Sequence, residues 1–375
     1  MSEPLTNFRL VFPSDGALVN PGEGRMEEGS LRIEVRGEAP DGARVRVNGQ
    51  CAERSGTGFS ASVALAAPLS EIVAEMETPA GLQRARACVQ WEPDSPPRYR
   101  IAIDDNIWFL RHTVKTGSRS LFDCFYLAGL RRLHEEFGAS FVLNLFFTDG
   151  EGFDLSMVPD TYRVEWMESS NWLKLAFHSY AESPSRPYQN AEASQILRDM
   201  KQVESEVLRF AGPDTLTPAT VIHYAITPRH VLSELARHGV RCLSGLFRQN
   251  ATGWGGNYGL GAEQSQFAAS HEAIIDFESG IVFSLIDMIV NNTPLEQVEP
   301  ILDRLESNPA QSRIMDILTH EQYFWPSYKA HIPDHFARLE TALRWLTGHG
   351  YKSVFLHEGL LGTGKHPCAP AVAGR

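Results

Sequence analysis

The chain has 375 residues, 43% apolar and 21% charged, a balance that sustains buried cores and argues against bulk disorder. A formal net charge of -12, with no clustered Lys and Arg, excludes a phosphate-tracking surface and so a nucleic-acid partner. The apolar runs are strand-sized, so no membrane span is expected. Five scattered cysteines fit neither a disulfide framework nor a paired-cysteine zinc site, although Cys51 and Cys88 fall in one β-rich region and are candidates for a bridge. Residues 1–15 carry no basic stretch followed by an apolar core. The default is therefore a reducing cytoplasm, with an extracytoplasmic location left open.

From the N-terminus, residues 31–35, 43–47, 59–65, 71–77 and 83–91 alternate apolar and polar side chains. Turn chemistry such as Pro40-Asp41-Gly42 and Asn48-Gly49 separates them, and no helical period intervenes. The pattern predicts a small all-β sandwich over residues 1–95, closed by the Pro-rich linker Glu92 to Pro97. The succession "VRVNG", "GFSASVAL", "SEIVAEMETPAG" resembles immunoglobulin-like domains attached to glycan-active enzymes.

After the linker the rhythm becomes strand–helix. Residues 99–104, 141–147, 173–178, 220–225, 241–247, 282–287, 314–319 and 353–357 predict buried strands. Thr227-Pro228 opens a helix that Gly239 closes, and Thr293-Pro294-Leu295-Glu296 has capping-box spacing. Asp334 is placed to cap a third helix, with Phe336, Leu339, Leu343 and Leu346 on one face. The fold class predicted is α/β: a distorted (β/α) barrel of seven or eight strands over residues 98–360, then a tail, 361–375.

A barrel gathers its chemistry at the carboxyl ends of its strands. There the sequence places Asp104-Asp105, His178, His223, His320-Glu321 and His357-Glu358. A lone His after an apolar strand is more often packed than ligating, and His357 is left in that class. Two adjacent carboxylates behind an apolar strand are different, because they repel unless a cation or a shared proton offsets the cost. A divalent metal answers that need: one carboxylate coordinates while its neighbour takes a proton from water.

At these residues the chain resembles the polysaccharide deacetylase family of metal-dependent carbohydrate esterases. "IDDN" is similar to that family's acidic pair, "FHSYAE" to its second motif, and "DILTHE" to its late histidine motif. The resemblance implies Asp104 as general base, His320 as acid to the leaving group, and Asp105 with His178 as metal ligands. It implies a hydrolase that removes acetyl groups from an N- or O-acetylated glycan with the help of a divalent ion, zinc first. The family's second metal-binding His is replaced here by Glu182, so Glu182 and His223 compete for the third ligand place. The family's Arg-Pro motif is also missing; Arg186 in "SPSRPY" is the nearest equivalent.

Trp108, Tyr180, Arg186, Glu321 and Trp325 are the expected substrate contacts, since sugars stack on aromatic rings and bond to planar charged groups. Gly253 to Gly261 reads as a mobile substrate loop. The near P-loop from Gly359 to His366 lacks the Ser or Thr that would bind Mg and is rejected. Two other readings stand beside the deacetylase: a non-catalytic carbohydrate-binding protein, and a glycosidase using Asp104 or Glu321. The sequence leaves room for a homo-oligomer.

Overall fold

The computed structural model describes residues 7–359 except 80 and 94, so the tail 361–375, Cys368 and most of the near P-loop lie outside the described residues. Residues 9–91 form two five-stranded sheets. One runs in the order Arg9–Phe12, Ser30–Glu38, Gly58–Leu65, Glu53–Ser55, with Arg25–Glu27 on Ser30–Glu38. The other runs Leu18–Val19, Gly81–Trp91, Leu69–Thr78, Val45–Val47, Gln50–Cys51. Alternation does what the sequence implies: Leu31, Ile33 and Val35 are buried from one sheet, and Ile72, Ala74 and Met76 from the other. Cys51 and Cys88 are not joined.

The remaining chain is mixed α/β, but its strands do not close into a ring. A six-stranded parallel sheet runs Leu173–Ser179, Phe141–Phe146, Arg98–Asn106, Ile314–His320, Met288–Ile289, with Lys352–Ser353 also on Arg98–Asn106. A four-stranded sheet runs Ala219–Thr220, Cys242–Gly245, Ile281–Leu285, Ala273–Asp276. At one seam no strand ladder joins the sheets among the described residues; an isolated bridge, Leu175 to Leu216, and side-chain bonds such as Thr220 to Asn144 cross it. Two predicted strands are cut short for local reasons. The 220–225 run ends at Thr220 because Tyr224 and Ala225 take positive φ, and the 353–357 run turns into helix Leu356–Gly359. Among the described residues no helix is long and apolar enough to cross a membrane.

Helix Leu232–His238 ends at Gly239 as its sequence implies. The two other expected caps do not form. Pro294 precedes a short 3-10 turn without a side-chain cap, and Asp334 instead pairs with Arg338 at 3.1 Å. In the glycine-rich segment Gly253–Gly255 forms a short strand, and the part after it is packed. Tyr258 is fully buried and donates to the Ser244 carbonyl at 2.7 Å, while a Cβ on Gly259 would stand 2.8 Å from the Arg229 amide.

The β-rich unit is fastened to the α/β part by backbone. Ile275 N donates to Gly16 O at 2.7 Å, and Gly16 has φ +85°, where a Cβ would lie 1.9 Å from Ile275 O. Asn20 reaches Glu272 at 3.2 Å, and Arg98 pairs with Glu92 at 2.5 Å out of solvent.

Within the six-stranded sheet, Arg100 lies beside Asp316 on the next strand, and their side chains pair at 2.8 Å with almost no exposure. Ser244 adds a hydrogen bond to Asp316 at 2.6 Å. This pair joins the two strands that carry Asp104 and His320 at their ends. Replacing Arg100 with Met strands the Asp316 charge in the core, and the expected loss is about 3–5 kcal/mol. Urea unfolding of R100M tests this; an unchanged midpoint would remove the pair from the account of stability.

Candidate metal centre

Neighbouring residues of a strand point to opposite faces, so a regular strand would separate Asp104 from Asp105. The strand is not regular there. Asp105 has φ +61°, and the ladder to the Asn144 strand slips between Ile103 and Asn106. This is a bulge with an αL residue, a conformation Asp tolerates better than most side chains, at a cost of about 1–3 kcal/mol. Asn106 repairs the backbone: its Nδ2 lies 2.5 Å from the Ile103 carbonyl and 3.3 Å from those of Asp104 and Asn144. Tyr126 donates to Asn106 Oδ1 at 2.8 Å and fixes the amide.

The bulge delivers Asp105 to two histidines. Its Oδ1 lies 3.1 Å from His178 Nε2 and 3.5 Å from His223 Nδ1, and those two nitrogens are 2.9 Å apart. All three ligand atoms fall within 4.8 Å of one another, with both imidazoles buried. His178 Nδ1 faces the Val221 carbonyl and donates to it, so Nε2 is the nitrogen turned toward the other two groups, where it carries a proton to Asp105 or, with a metal bound, would offer its lone pair. Gln322 Nε2 donates to Asp105 Oδ2 at 2.7 Å, and Gln322 Oε1 is buried without a hydrogen bond.

The electrostatics follow from the crowding of these groups out of solvent. Burial raises the Asp105 carboxyl, but the hydrogen bond and charge of His178, with His320 and His223, outweigh it and hold it well below the usual carboxylate range. Burial would lower His178, yet Asp104 and Asp105 push it up. His223 is pushed down to about 3 by burial, helped by His178. Two imidazole nitrogens and one carboxylate oxygen, facing inward from one side, are a fitting donor set for a divalent ion with positions left open.

Asp104 is 2% exposed and accepts from Asn144 Nδ2 at 2.6 Å; burial raises its carboxyl, with His178 and His320 opposing. His320 is the residue directly across the parallel ladder from Asp104, so the two side chains leave adjacent strands together. Its Nδ1 lies 2.9 Å from Asn291 Oδ1.

Other expected contacts divide sharply. Glu182 is exposed and outside the triad; only its backbone bears on His223, favouring a proton on that ring. His223 takes the third place because its strand breaks early and turns the ring inward. Tyr180 is 40% exposed and stacks on Phe147 at 5.2 Å, while Arg186 lies over the exposed Tyr224 ring at 5.8 Å. Trp108 is half-buried, edge-on to Tyr328 at 5.7 Å.

Glu321 and Trp325, expected as substrate contacts, are buried and bonded to each other. Glu321 is fully buried and accepts from the amides of Ile107, Trp108 and Phe109 at 2.7, 2.9 and 2.6 Å, and from Trp325 Nε1 at 3.0 Å. It caps helix Trp108–Thr116 from a distance, where that helix has no side-chain cap of its own. His357 is packed against Thr217 at 3.0 Å, the ordinary role expected for it.

The sequence reading missed Asn106, Asn144, Asn291 and Gln322. A signal existed for Asn144, a polar residue within the otherwise apolar strand "FVLNLF". For Asn291 and Gln322 no pattern marked them.

No family model matches the chain, and no curated protein matches it. Solved structures that overlap it include a Bordetella bronchiseptica protein described as a candidate polysaccharide deacetylase involved in O-antigen biosynthesis. That pair has 13% identity and a TM-score of 0.34 over 66% of this chain and 83% of that one. A polysaccharide deacetylase from Bacillus cereus overlaps with 10% identity and a TM-score of 0.25, over 57% and 84% of the two chains. A calcium-binding mutant of β-glucuronidase 2 from Bacteroides uniformis does so with 10% identity and a TM-score of 0.30, over 84% and 47%. Overlaps this loose assign neither fold nor activity, and the donor geometry is what bears on function.

If Glu321 is the cap of helix Trp108–Thr116, E321A leaves three amides and an indole N–H buried without an acceptor. The expected cost exceeds about 3 kcal/mol. Thermal unfolding of E321A beside R186A separates the two kinds of residue: the first should lose several degrees, the second almost none.

Proposed function

We propose that this chain is a metal-dependent hydrolase that removes acetyl or other acyl groups from an N- or O-acylated glycan. The observation that carries the reading is the convergence of Asp105 Oδ1, His178 Nε2 and His223 Nδ1 beside the paired Asp104 and His320. It favours a divergent member of the polysaccharide deacetylases, its barrel opened along a seam, with residues 1–95 as an immunoglobulin-like domain beside the catalytic part, 98–360.

Asp105, His178 and His223 would hold the ion, and the mixed nitrogen and oxygen set favours zinc. A divalent ion there supplies positive charge that polarises an acyl carbonyl and acidifies water. Asp104 accepts the proton of the attacking water as its oxygen bonds to the acyl carbon. His320, protonated, gives its proton to the sugar nitrogen or oxygen as the bond to that carbon breaks. Both groups leave adjacent strands, about 4.8 Å apart, so one substrate pose serves both. Tyr180, Arg186 and Trp108, together with Tyr224, offer the rings and the planar charge on which a sugar can rest. The glycan is the partner this surface fits.

Metal analysis with variants tests the reading. H178A and H223A should each lose bound ion by at least about tenfold in affinity, while E182Q should keep it. D104N should keep the ion but lose deacetylation by about 10²-fold or more. Turnover that survives a strong chelator would end the proposal.

A further inference from the structure

The two candidate proton carriers have an unusual feature in common: each is held by a neutral amide. Asn144 is fully buried on the strand next to Asp104 and donates Nδ2–H to Asp104 Oδ1 at 2.6 Å. An ionised carboxylate can only accept, so the NH2 end of the amide meets the acid, and Asn144 Oδ1 is left facing the Thr220 hydroxyl at 3.1 Å. Asn291 presents Oδ1 to His320 Nδ1 at 2.9 Å, while its own Nδ2 donates to Asn292 Oδ1 at 3.0 Å. An amide oxygen can only accept, so His320 Nδ1 must carry a hydrogen. The ring then has Nε2 as the nitrogen that gains and loses the working proton.

We propose that Asn144 and Asn291 are the positioning residues of the acid–base pair, which rests on the hydrolase reading for the roles of Asp104 and His320. Asn144 sets the plane of the Asp104 carboxylate without neutralising it. Asn291 sets the tautomer and tilt of His320 without adding a negative charge beside it. Both partners are neutral amides, so what each fixes is geometry. Serving the acid–base pair separates these two residues from Gln322, whose amide serves the ligand Asp105.

The test is nitrogen NMR of the full chain with its imidazole and side-chain amide signals assigned, alongside steady-state kinetics. Neutral His320 should be the Nδ1–H tautomer, and N291L should shift it toward a mixture. The Asn144 side-chain amide should be slow to exchange and should lose that protection in D104A. N144L and N291L should keep metal content, with kcat lower by on the order of 10²-fold and KM within about twofold, measured below each variant's own unfolding transition. An Nε2–H tautomer in the unaltered protein overturns the Asn291 assignment. An Asn144 amide indifferent to D104A overturns the other. Full kcat in both variants overturns the proposal as a whole. Absence of turnover in the unaltered protein would instead count against the hydrolase reading, and the NMR outcomes would still decide the positioning contacts.

Discussion

A strand that kept its pleat would send Asp104 and Asp105 to opposite sides, and one of them would be lost to the core. The αL turn at Asp105 is the departure on which the candidate centre depends. It costs backbone energy, and it frees carbonyls that a ladder would have used. Asn106 takes up those carbonyls, Tyr126 holds Asn106, and Glu321 anchors the helix that begins immediately afterwards. The strain is therefore enclosed on both sides by buried, directional bonds. A looser surround would relax Asp105 back into the pleat and dissolve the triad.

The centre also shows a division of labour between charge and dipole. Structural charges are paired or capped among themselves: Arg100 with Asp316, Arg98 with Glu92, Glu321 with three amides. Near the donors the supporting groups are amides, from Gln322, Asn144 and Asn291. Dipoles orient a carboxylate or an imidazole while adding no net charge to compete with a cation.

Much of this was legible in the sequence. Alternation in residues 31–91 and the strand–helix rhythm after Pro97 follow from where apolar side chains must go, and Asp104, Asp105, His178, His223 and His320 all stood at strand ends. What was hidden depends on backbone departures and on contacts between distant segments. The choice of His223 over Glu182 turns on positive φ at Tyr224 and Ala225, which neither residue type announces. The role of Glu321 turns on a helix start more than two hundred residues earlier. The open seam between the sheets turns on Thr220 ending its strand after two residues, where periodicity promised six.

The bond between Gly16 and Ile275 carries a further consequence. Strand Ala273–Asp276 is the outer member of its sheet and would otherwise present a row of bare amides and carbonyls to any passing strand. The Gly16-Ala17 segment lies along it, and only a glycine at 16 lets the backbone come that close. The N-terminal unit therefore covers part of that edge with its own backbone. A version of the chain trimmed to its α/β part would keep every donor of the triad and yet be prone to precipitate.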